Sequence, residues 1–257
     1  MRIAKLAVVV GLIIGTADCF GQNSDPRPAP SSTFQPATQI PAERFHWKAA
    51  LLQSGFFLGV MHGINARQYA GPHNNFFARY ADSVSDYRWN VWFDGNSGVT
   101  NNLGHPLMGA VAGSIELQND PGGRALQLSK DRRYWTSRLR TLAWAAAFST
   151  QWEIGPVSES SLGNYGKSYW IRDGRRVNGT GLSDMFMTPL GGFGIVLGED
   201  AVDKWMLPHA DCTMTRKRKL SWAMLTPARS AANLLRFEAP WYREAAAKCD
   251  AQLRFSR

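Results

Sequence analysis

Glycine recurs at intervals of four residues in three apolar segments of this 257-residue chain. On an α-helix, residues four apart lie on one face, and a glycine there lets the backbone of a neighbouring helix approach closely. The three segments therefore predict helices that pack tightly against one another. The glycines concerned are Gly55, Gly59, Gly63, Gly109, Gly113, Gly194 and Gly198, together with the adjacent pair Gly191 and Gly192.

Four segments have the apolar content and the length of helices, at about residues 47–66, 105–118, 134–154 and 188–205. No alternation of apolar and polar residues is long enough to predict a strand, and no repeat of fixed period is present. The predicted fold class is all-α, a compact helical bundle whose helices pack at glycines. The aromatic stretch 68–102 is predicted to form a capping region over the bundle, or a belt at a membrane interface.

Three short signals mark predicted helix starts. An Asn or Thr side chain can accept a hydrogen bond from a free N–H in the first turn, and proline tolerates that turn because its missing N–H has no partner there. We therefore expect a capped helix to begin at each signal. The signals are Asn101 or Asn102 ahead of Pro106, Thr188 with Pro189, and Thr226 with Pro227.

The first residues have the features of a secretory signal. Arg2 and Lys5 precede the apolar run 6–14, which is followed by small residues. Residues 1–22 are therefore predicted to be a signal peptide that is removed near Gln22. An uncleaved membrane anchor is the alternative.

Five prolines among small and polar residues predict an extended linker over residues 23–43. The remainder, 44–257, is predicted to be a single helical domain with its core at about residues 92–205. We expect an exported chain of this kind in the periplasm or cell envelope of a bacterium. In that oxidising compartment Cys212 and Cys249 can form one disulfide, and the alternative is two separate buried thiols.

The chain is basic, with a formal net charge of +9 at pH 7. Basic clusters suit phosphate-bearing surfaces, so the expected partner is a membrane surface or anionic lipid. Nucleic acid is not expected, because the sequence contains no nucleic-acid-binding motif. Each continuous apolar run is shorter than the roughly 20 residues of a membrane-spanning helix, so the bundle is predicted to lie at a membrane or partly in it. The clusters are 216–219 and a second group that also fits a solvated basic face, Arg132, Arg133, Arg138 and Arg140.

Ionisable residues lie at or beside the apolar segments, and a buried one needs a partner. His105 is at a predicted helix start, where the positive end of the helix dipole favours a neutral imidazole that can act as a base or a ligand. Glu153 and Glu159 flank a Gly-Pro break and can converge on one point, as in acid–base pairs and metal sites. The candidate catalytic cluster is His105, Glu153, Glu159 and Asp184, and the other ionisable residues beside these segments are His62 and Glu199.

Each of these residues also has a structural interpretation. A histidine in a first turn can bond to a loop, a carboxylate can cap a helix end, and the acidic run 199–203 fits a solvated helix end. A metal held by His105 with Glu153 or Asp184 fits the residue types, but no compact motif such as H-E-x-x-H occurs. The sequence therefore specifies neither a metal nor a cofactor. It also lacks the G-x-S-x-G motif, phosphate-binding loops and dinucleotide fingerprints.

The candidate residues stand in an ordered pattern over about residues 92–205. The pattern is His105-Pro106-x-x-Gly109, Trp152-Glu153 with Glu159, Asp184, Thr188-Pro189-x-Gly191-Gly192 and Gly198-Glu199. It resembles an uncharacterised family of exported bacterial envelope proteins with a domain of unknown function. Similarity to the VanZ-like family of small helical membrane proteins is weaker, and is carried by a His, a helix-end Glu and a later Asp. Both resemblances imply an envelope compartment and a helical fold, and neither implies a reaction.

Two functional hypotheses stay open. In the first, the protein is a non-catalytic structural or binding protein of the envelope, and its polar residues cap and lock the bundle. In the second, it is a membrane-associated hydrolase or transferase that acts on a lipid or cell-wall precursor through His105, Glu153 and Asp184, with or without a metal. Recruitment of a partner through the proline-rich linker is a third interpretation.

Overall fold

The computed structural model describes residues 44–66, 80–81, 84–85, 87, 89–92, 96–162, 170–172, 175–177, 182–206 and 215–243. All of them belong to the second of two units into which backbone contacts divide the chain, Glu43–Arg257. The predicted signal peptide and linker lie outside the described residues, as do Cys212 and Cys249, so a leader, a linker and a disulfide remain predictions.

The regular secondary structure of the described chain is helical apart from one short antiparallel pair of strands, β1 (Trp170–Arg172) and β2 (Arg175–Val177), in which Ile171 pairs with Arg176. The predicted all-α class is confirmed. Two π-helical segments, Thr100–Gly104 and Met187–Gly191, lead directly into α2 and α6. The helices are α1 (Trp47–Asn65), α2 (His105–Asn119), α3 (Pro121–Arg124), α4 (Arg132–Ile154), α5 (Leu182–Phe186), α6 (Gly192–Met206), α7 (Arg216–Leu225) and α8 (Pro227–Leu234).

Helix α2 is the centre of the bundle. It packs against α1, α4, α6, α8 and the second π-helical segment, and every one of its residues except Leu107 is buried. A helix that is enclosed on all sides needs small residues where neighbours approach and apolar residues between them. Its sequence supplies both, and the core that forms around it includes Met108, Ala110, Val111, Ile115, Phe148, Trp152 and Val196.

Glycine-mediated packing is confirmed at four of the predicted positions. A Cβ on Gly109 would overlap the carbonyl oxygen of Thr188, and one on Gly192 would lie 2.6 Å from the backbone nitrogen of Ala110. Gly113 and Gly191 likewise leave room for Thr141 and Pro106, at 2.6 and 2.7 Å from an added Cβ. These four glycines therefore let α4, the second π-helical segment and α6 approach the backbone of α2.

The packing prediction is wrong for the other five glycines, because an added Cβ would meet no atom of the described residues within 4 Å. Helix α1 instead buries Ala50, Phe57 and His62. Helix α6 similarly packs through the face that carries Gly192 and Val196. Spacing identifies residues that share a face, but here the glycine face is turned away from the bundle. The five are Gly55, Gly59, Gly63, Gly194 and Gly198.

Two of the three predicted helix starts are wrong. Asn101 lies inside the first π-helical segment, and the helical run begins earlier, where Ser97 Oγ accepts a hydrogen bond from Thr100 N at 3.2 Å. Thr188 lies inside the second π-helical segment, which continues α5 into α6. Pro106 and Pro189 explain the wide turns, because neither can donate the i→i−4 hydrogen bond of a regular α-helix.

The third start, Thr226 with Pro227, opens α8 as predicted, but the cap comes from another helix. Thr226 Oγ1 donates to the Trp222 carbonyl at 2.8 Å, and Glu199 of α6 accepts the free N–H groups of Ala228 and Arg229 at 2.7 and 3.0 Å. A carboxylate at a helix N-terminus satisfies these donors and complements the helix dipole. Glu199 therefore joins α6 to α8.

The prediction of a solvated acidic end on α6 is also wrong. Asp200 accepts hydrogen bonds from Arg138 Nε at 2.6 Å and Arg229 Nη2 at 2.7 Å, and Asp203 accepts from Arg243 Nε at 2.9 Å. Arg138, expected on a solvated face, is 1% exposed. Burial alone would raise the pKa of Asp200, but Arg229 and Arg138 lower it below its ordinary value. This ion network ties α4, α6 and α8 together.

No helix among the described residues has both the length and the apolar character required to cross a membrane.

We predict opposite effects of alanine at two glycines of the same apolar pattern. Gly109→Ala should lower the free energy of unfolding by roughly 3 kcal/mol, because its Cβ meets the backbone of Thr188, which cannot rotate away as a side chain can. Gly194→Ala should raise it by ~0.5 to 1 kcal/mol, because the site is open and alanine favours helix. Urea denaturation measures both, and similar values for the two variants would contradict the packing at Gly109.

Candidate metal centre

Three of the four predicted site residues meet in the interior. One donor atom each from His105, Glu153 and Asp184 lies within 4.8 Å of the other two, and His105 Nε2 is 3.5 Å from Asp184 Oδ2. Their relative exposures are 6, 0 and 2%. An imidazole and two carboxylates are thus held together away from bulk solvent.

Three separate segments bring these side chains together. His105 is the first residue of α2, Glu153 is next to last in α4, and Asp184 lies in α5. The α5 backbone is fixed by hydrogen bonds from Leu182 N and Ser183 N to the carbonyls of residues 91 and 92, both at 2.8 Å. The predicted capping region thus contributes directly to the position of Asp184.

His105 is not at the free start of a helix, because the first π-helical segment precedes it and its N–H donates to the Thr100 carbonyl. The dipole argument for a neutral ring therefore does not apply. Instead, Nδ1 lies 3.3 Å from the hydroxyl oxygen of Thr188. When Nδ1–H donates to this hydroxyl, the lone pair of Nε2 faces Asp184.

Gly109 connects the packing of the bundle to this contact. It lies one turn after His105, and its missing Cβ is what allows the backbone of Thr188 to approach α2. Residues four apart share a helix face, so the segment that packs on Gly109 also lies beside His105. The close approach therefore places the Thr188 hydroxyl beside Nδ1 of the His105 imidazole.

Hydroxyl groups fix the backbone of the two carboxylate residues. Ser149 Oγ donates to the Asp184 carbonyl at 3.3 Å, and Ser160 Oγ donates to the Glu153 carbonyl at 2.7 Å. Ser183 Oγ also donates to Asp184 Oδ1 at 3.2 Å. Such contacts limit the orientations of the carboxylates before any ligand binds.

Two aromatic residues lie beside members of the cluster: Trp152 precedes Glu153 in α4, and Tyr87 is close enough to Glu153 and Asp184 to interact with their charges. The ring of His62 stacks on Trp152 with centroids 4.5 Å apart, and its Nε2–H donates to the Val157 carbonyl at 3.1 Å. Burial lowers the pKa of His62, which favours its neutral form. Burial, followed by the charges of Glu153 and Asp184, raises the pKa of Tyr87 well above its usual range and keeps the phenol protonated.

Glu159, the fourth predicted residue, is half-buried in the turn after α4 and is not one of the three converging residues. Its backbone N–H donates to the Trp152 carbonyl at 2.9 Å. The Gly-Pro break thus turns the chain back on α4 without bringing the second carboxylate into the cluster.

Sequence reasoning did not assign Thr188 or Tyr87 to the site. The Thr-Pro signal predicts a helix cap at Thr188, although the residue belongs to the same ordered pattern as His105 and Asp184. Tyr87 was one of many aromatic residues in the stretch 68–102, and nothing local distinguishes it. Both residues reach the site only through tertiary packing, which the local sequence does not reveal.

The donor set suits a divalent transition-metal ion. Imidazole nitrogen and carboxylate oxygen are ligands of zinc, manganese and iron, and three protein ligands are typical of sites that keep further positions open. Among the described residues this is the single group of three or more His, Cys, Asp or Glu side chains with converging donors.

No family model matches the chain, and searches of curated proteins and of solved structures return no match. The two family resemblances therefore remain predictions.

Glu116 is a further buried carboxyl group, in the middle of α2. It accepts a hydrogen bond from Thr141 Oγ1 at 2.9 Å and is 3% exposed. Burial raises its pKa to about 7; the Thr141 hydrogen bond, Arg140 and Arg138 act against this increase, and Asp120 adds to it. The folded protein therefore holds a proton on Glu116 at pH values where the unfolded chain has released it.

We predict that Glu116→Gln flattens the pH dependence of stability. In the wild type, the free energy of unfolding should fall between pH 4.5, the ordinary pKa, and about pH 7, the folded pKa, by up to roughly 3 kcal/mol. Glutamine keeps the acceptor for Thr141 and does not titrate. Urea denaturation at pH 5 and pH 8 should therefore show that the free energy of unfolding falls less for the variant than for the wild type as the pH rises. An equal change in the two proteins would contradict the raised pKa.

Proposed function

We propose that this protein is a metal-binding protein of the bacterial cell envelope, which holds a divalent transition-metal ion through His105, Glu153 and Asp184. The observation that carries the proposal is the convergence of three buried donors from three separate segments. The envelope location rests on the predicted leader and on the family resemblances.

The spacing of the donors supports an ion between them. A charged hydrogen bond has its heavy atoms about 2.7 to 2.9 Å apart, whereas His105 Nε2 and Asp184 Oδ2 are 3.5 Å apart. Two ligands that bind one tetrahedral ion at ~2.1 Å lie roughly 3.4 Å from each other. The pair therefore has the separation of two ligands of one metal.

The contact between Thr188 and His105 supports the same proposal. Histidines that bind metals commonly donate their second ring N–H to a hydrogen-bond acceptor, which fixes the tautomer and the plane of the ring. Thr188 Oγ1 lies 3.3 Å from Nδ1, whereas the Asp184 carboxylate faces the other ring nitrogen, Nε2. The threonine therefore prepares Nε2 as the ligand atom.

We expect the purified full chain, stripped with a chelator, to take up about one equivalent of Zn²⁺ or Mn²⁺ in isothermal titration calorimetry, with the amount checked by elemental analysis. His105→Ala and Asp184→Asn should each weaken binding at least a hundredfold, because each removes a ligand. His46→Ala is the matched control, since His46 is exposed at the start of α1, and it should bind as wild type does.

Two outcomes would contradict the metal site. One is that the folded wild-type protein takes up neither ion, and the other is that the ligand variants bind as tightly as His46→Ala. Circular dichroism separates loss of a ligand from loss of the fold, since Asp184→Asn preserves the shape of the side chain.

Thr188→Val should weaken metal binding by roughly ten- to a hundredfold without removing a ligand. Thr188→Ser keeps the hydroxyl and should restore most of the affinity. Thr150→Val, on the exposed side of α4, is the control and should have no effect. Equal affinities of Thr188→Val and wild type would show that the hydroxyl does not orient His105.

A second candidate function is a hydrolase or transferase that acts on a lipid or cell-wall precursor at the same site. The observation that favours this function is a group of exposed apolar residues at or beside both π-helical segments, which a lipid substrate could contact. Turns of π-helix also occur frequently at functional sites. Phe186 stacks on Trp92 with centroids 5.8 Å apart. The exposed residues are Trp92, Val99, Leu103, Phe186 and Leu190.

A further inference from the structure

We infer that the outer face of α7 is a docking surface for an anionic lipid bilayer. This surface, the α7 face, lies on the side of the helix away from buried Trp222 and carries two basic residues and two exposed apolar residues, Arg216, Lys217, Leu220 and Met224. It contains none of the proposed metal ligands, so the inference does not depend on the metal site.

Trp222 fixes which side of α7 faces outward. It is 1% exposed, its indole N–H donates to Asp203 Oδ1 at 2.5 Å, and the Arg243 guanidinium lies over its ring at 5.0 Å. The opposite side of the helix carries Leu220 and Met224, which are four residues apart and 42 and 72% exposed. The apolar side chains are thus held outward by the ion network of the interior.

The helix dipole of α7 disfavours basic residues in its first turn. Residues 216–219 form the first turn of α7, at the positive end of the helix dipole, where cations are unfavourable. In the described part of the chain no salt bridge connects Arg216, Lys217 or Lys219 to a carboxylate. Asp200 and Asp203 of α6 are instead bound to Arg138, Arg229 and Arg243.

Charge complementarity and side-chain type identify the occupant. Anionic headgroups attract clusters of Lys and Arg, while Leu, Met and Trp enter the boundary between headgroups and acyl chains. On α7, basic residues occupy the first turn and exposed apolar residues follow within two turns, so both kinds of contact are available to one surface. An acidic protein surface is complementary to the basic residues alone, whereas an anionic bilayer also offers an apolar layer for the exposed side chains of Leu220 and Met224.

The test measures binding of the full chain to vesicles by sedimentation. We expect stronger binding to vesicles of phosphatidylcholine with 30% phosphatidylglycerol than to pure phosphatidylcholine, and weaker binding as salt increases, because screening reduces the attraction. The predicted N-terminal leader contributes equally to all variants, so differences between variants and between lipids are the readout.

Matched substitutions locate the surface. Lys217→Glu should lower the partition coefficient on anionic vesicles roughly tenfold or more, while Lys130→Glu, the same charge change at another exposed lysine, should have a much smaller effect. Met224→Asn should also weaken binding, and Leu139→Asn on the exposed side of α4 is its control.

Equal binding to neutral and anionic vesicles, no binding to either, or equal losses in Lys217→Glu and Lys130→Glu would each overturn the inference. His105→Ala should retain vesicle binding in metal-free buffer. Failure of the metal site therefore leaves the membrane result intact, and failure of vesicle binding leaves the metal titration intact.

Discussion

The close approach of two backbones at Gly109 is the contact on which the rest of the structure depends. The backbone of Thr188 occupies the space that a Cβ on Gly109 would fill, and Gly192 lies against the next peptide of α2 in the same way. A side chain at either position would separate α2 from the second π-helical segment, since a backbone cannot rotate aside. The same approach sets Thr188 beside His105. Packing and site geometry thus depend on one contact.

The bundle holds ionisable groups in two interior places that differ in geometry. At the end of α6, Asp200 and Asp203 accept hydrogen bonds from guanidinium groups at 2.6 to 2.9 Å, which offsets the cost of removing charge from water. At the junction of α2, α4 and α5, the imidazole and carboxylate of His105 and Asp184 stand 3.5 Å apart. The first arrangement suits direct ion pairs that connect helices, and the second suits a shared cation.

The all-α class and the positions of α1, α2 and α4 could be predicted, because apolar periodicity and chain breaks are local properties. The wrong predictions share one cause. Periodicity placed Gly55 and Gly194 on shared faces but could not tell which face meets a neighbour. Local capping signals could not reveal that Glu199 caps α8 from another helix, or that Thr188 bonds to His105. Arg138 and Asp200 can likewise be buried because they pair with each other, although they are 62 residues apart in the sequence.

The sequence by itself determined the helices, the residue types available for chemistry and their order along the chain. It also identified His105, Glu153 and Asp184 as candidates, because ionisable groups beside apolar helices must find partners when buried. Only the tertiary structure decided that these three converge while Glu159 does not. Local hydrogen bonds and side-chain periodicity act over a few residues. The convergence of the three side chains depends instead on how the helices cross, and the crossing depends on where a glycine of one helix contacts the backbone of another segment.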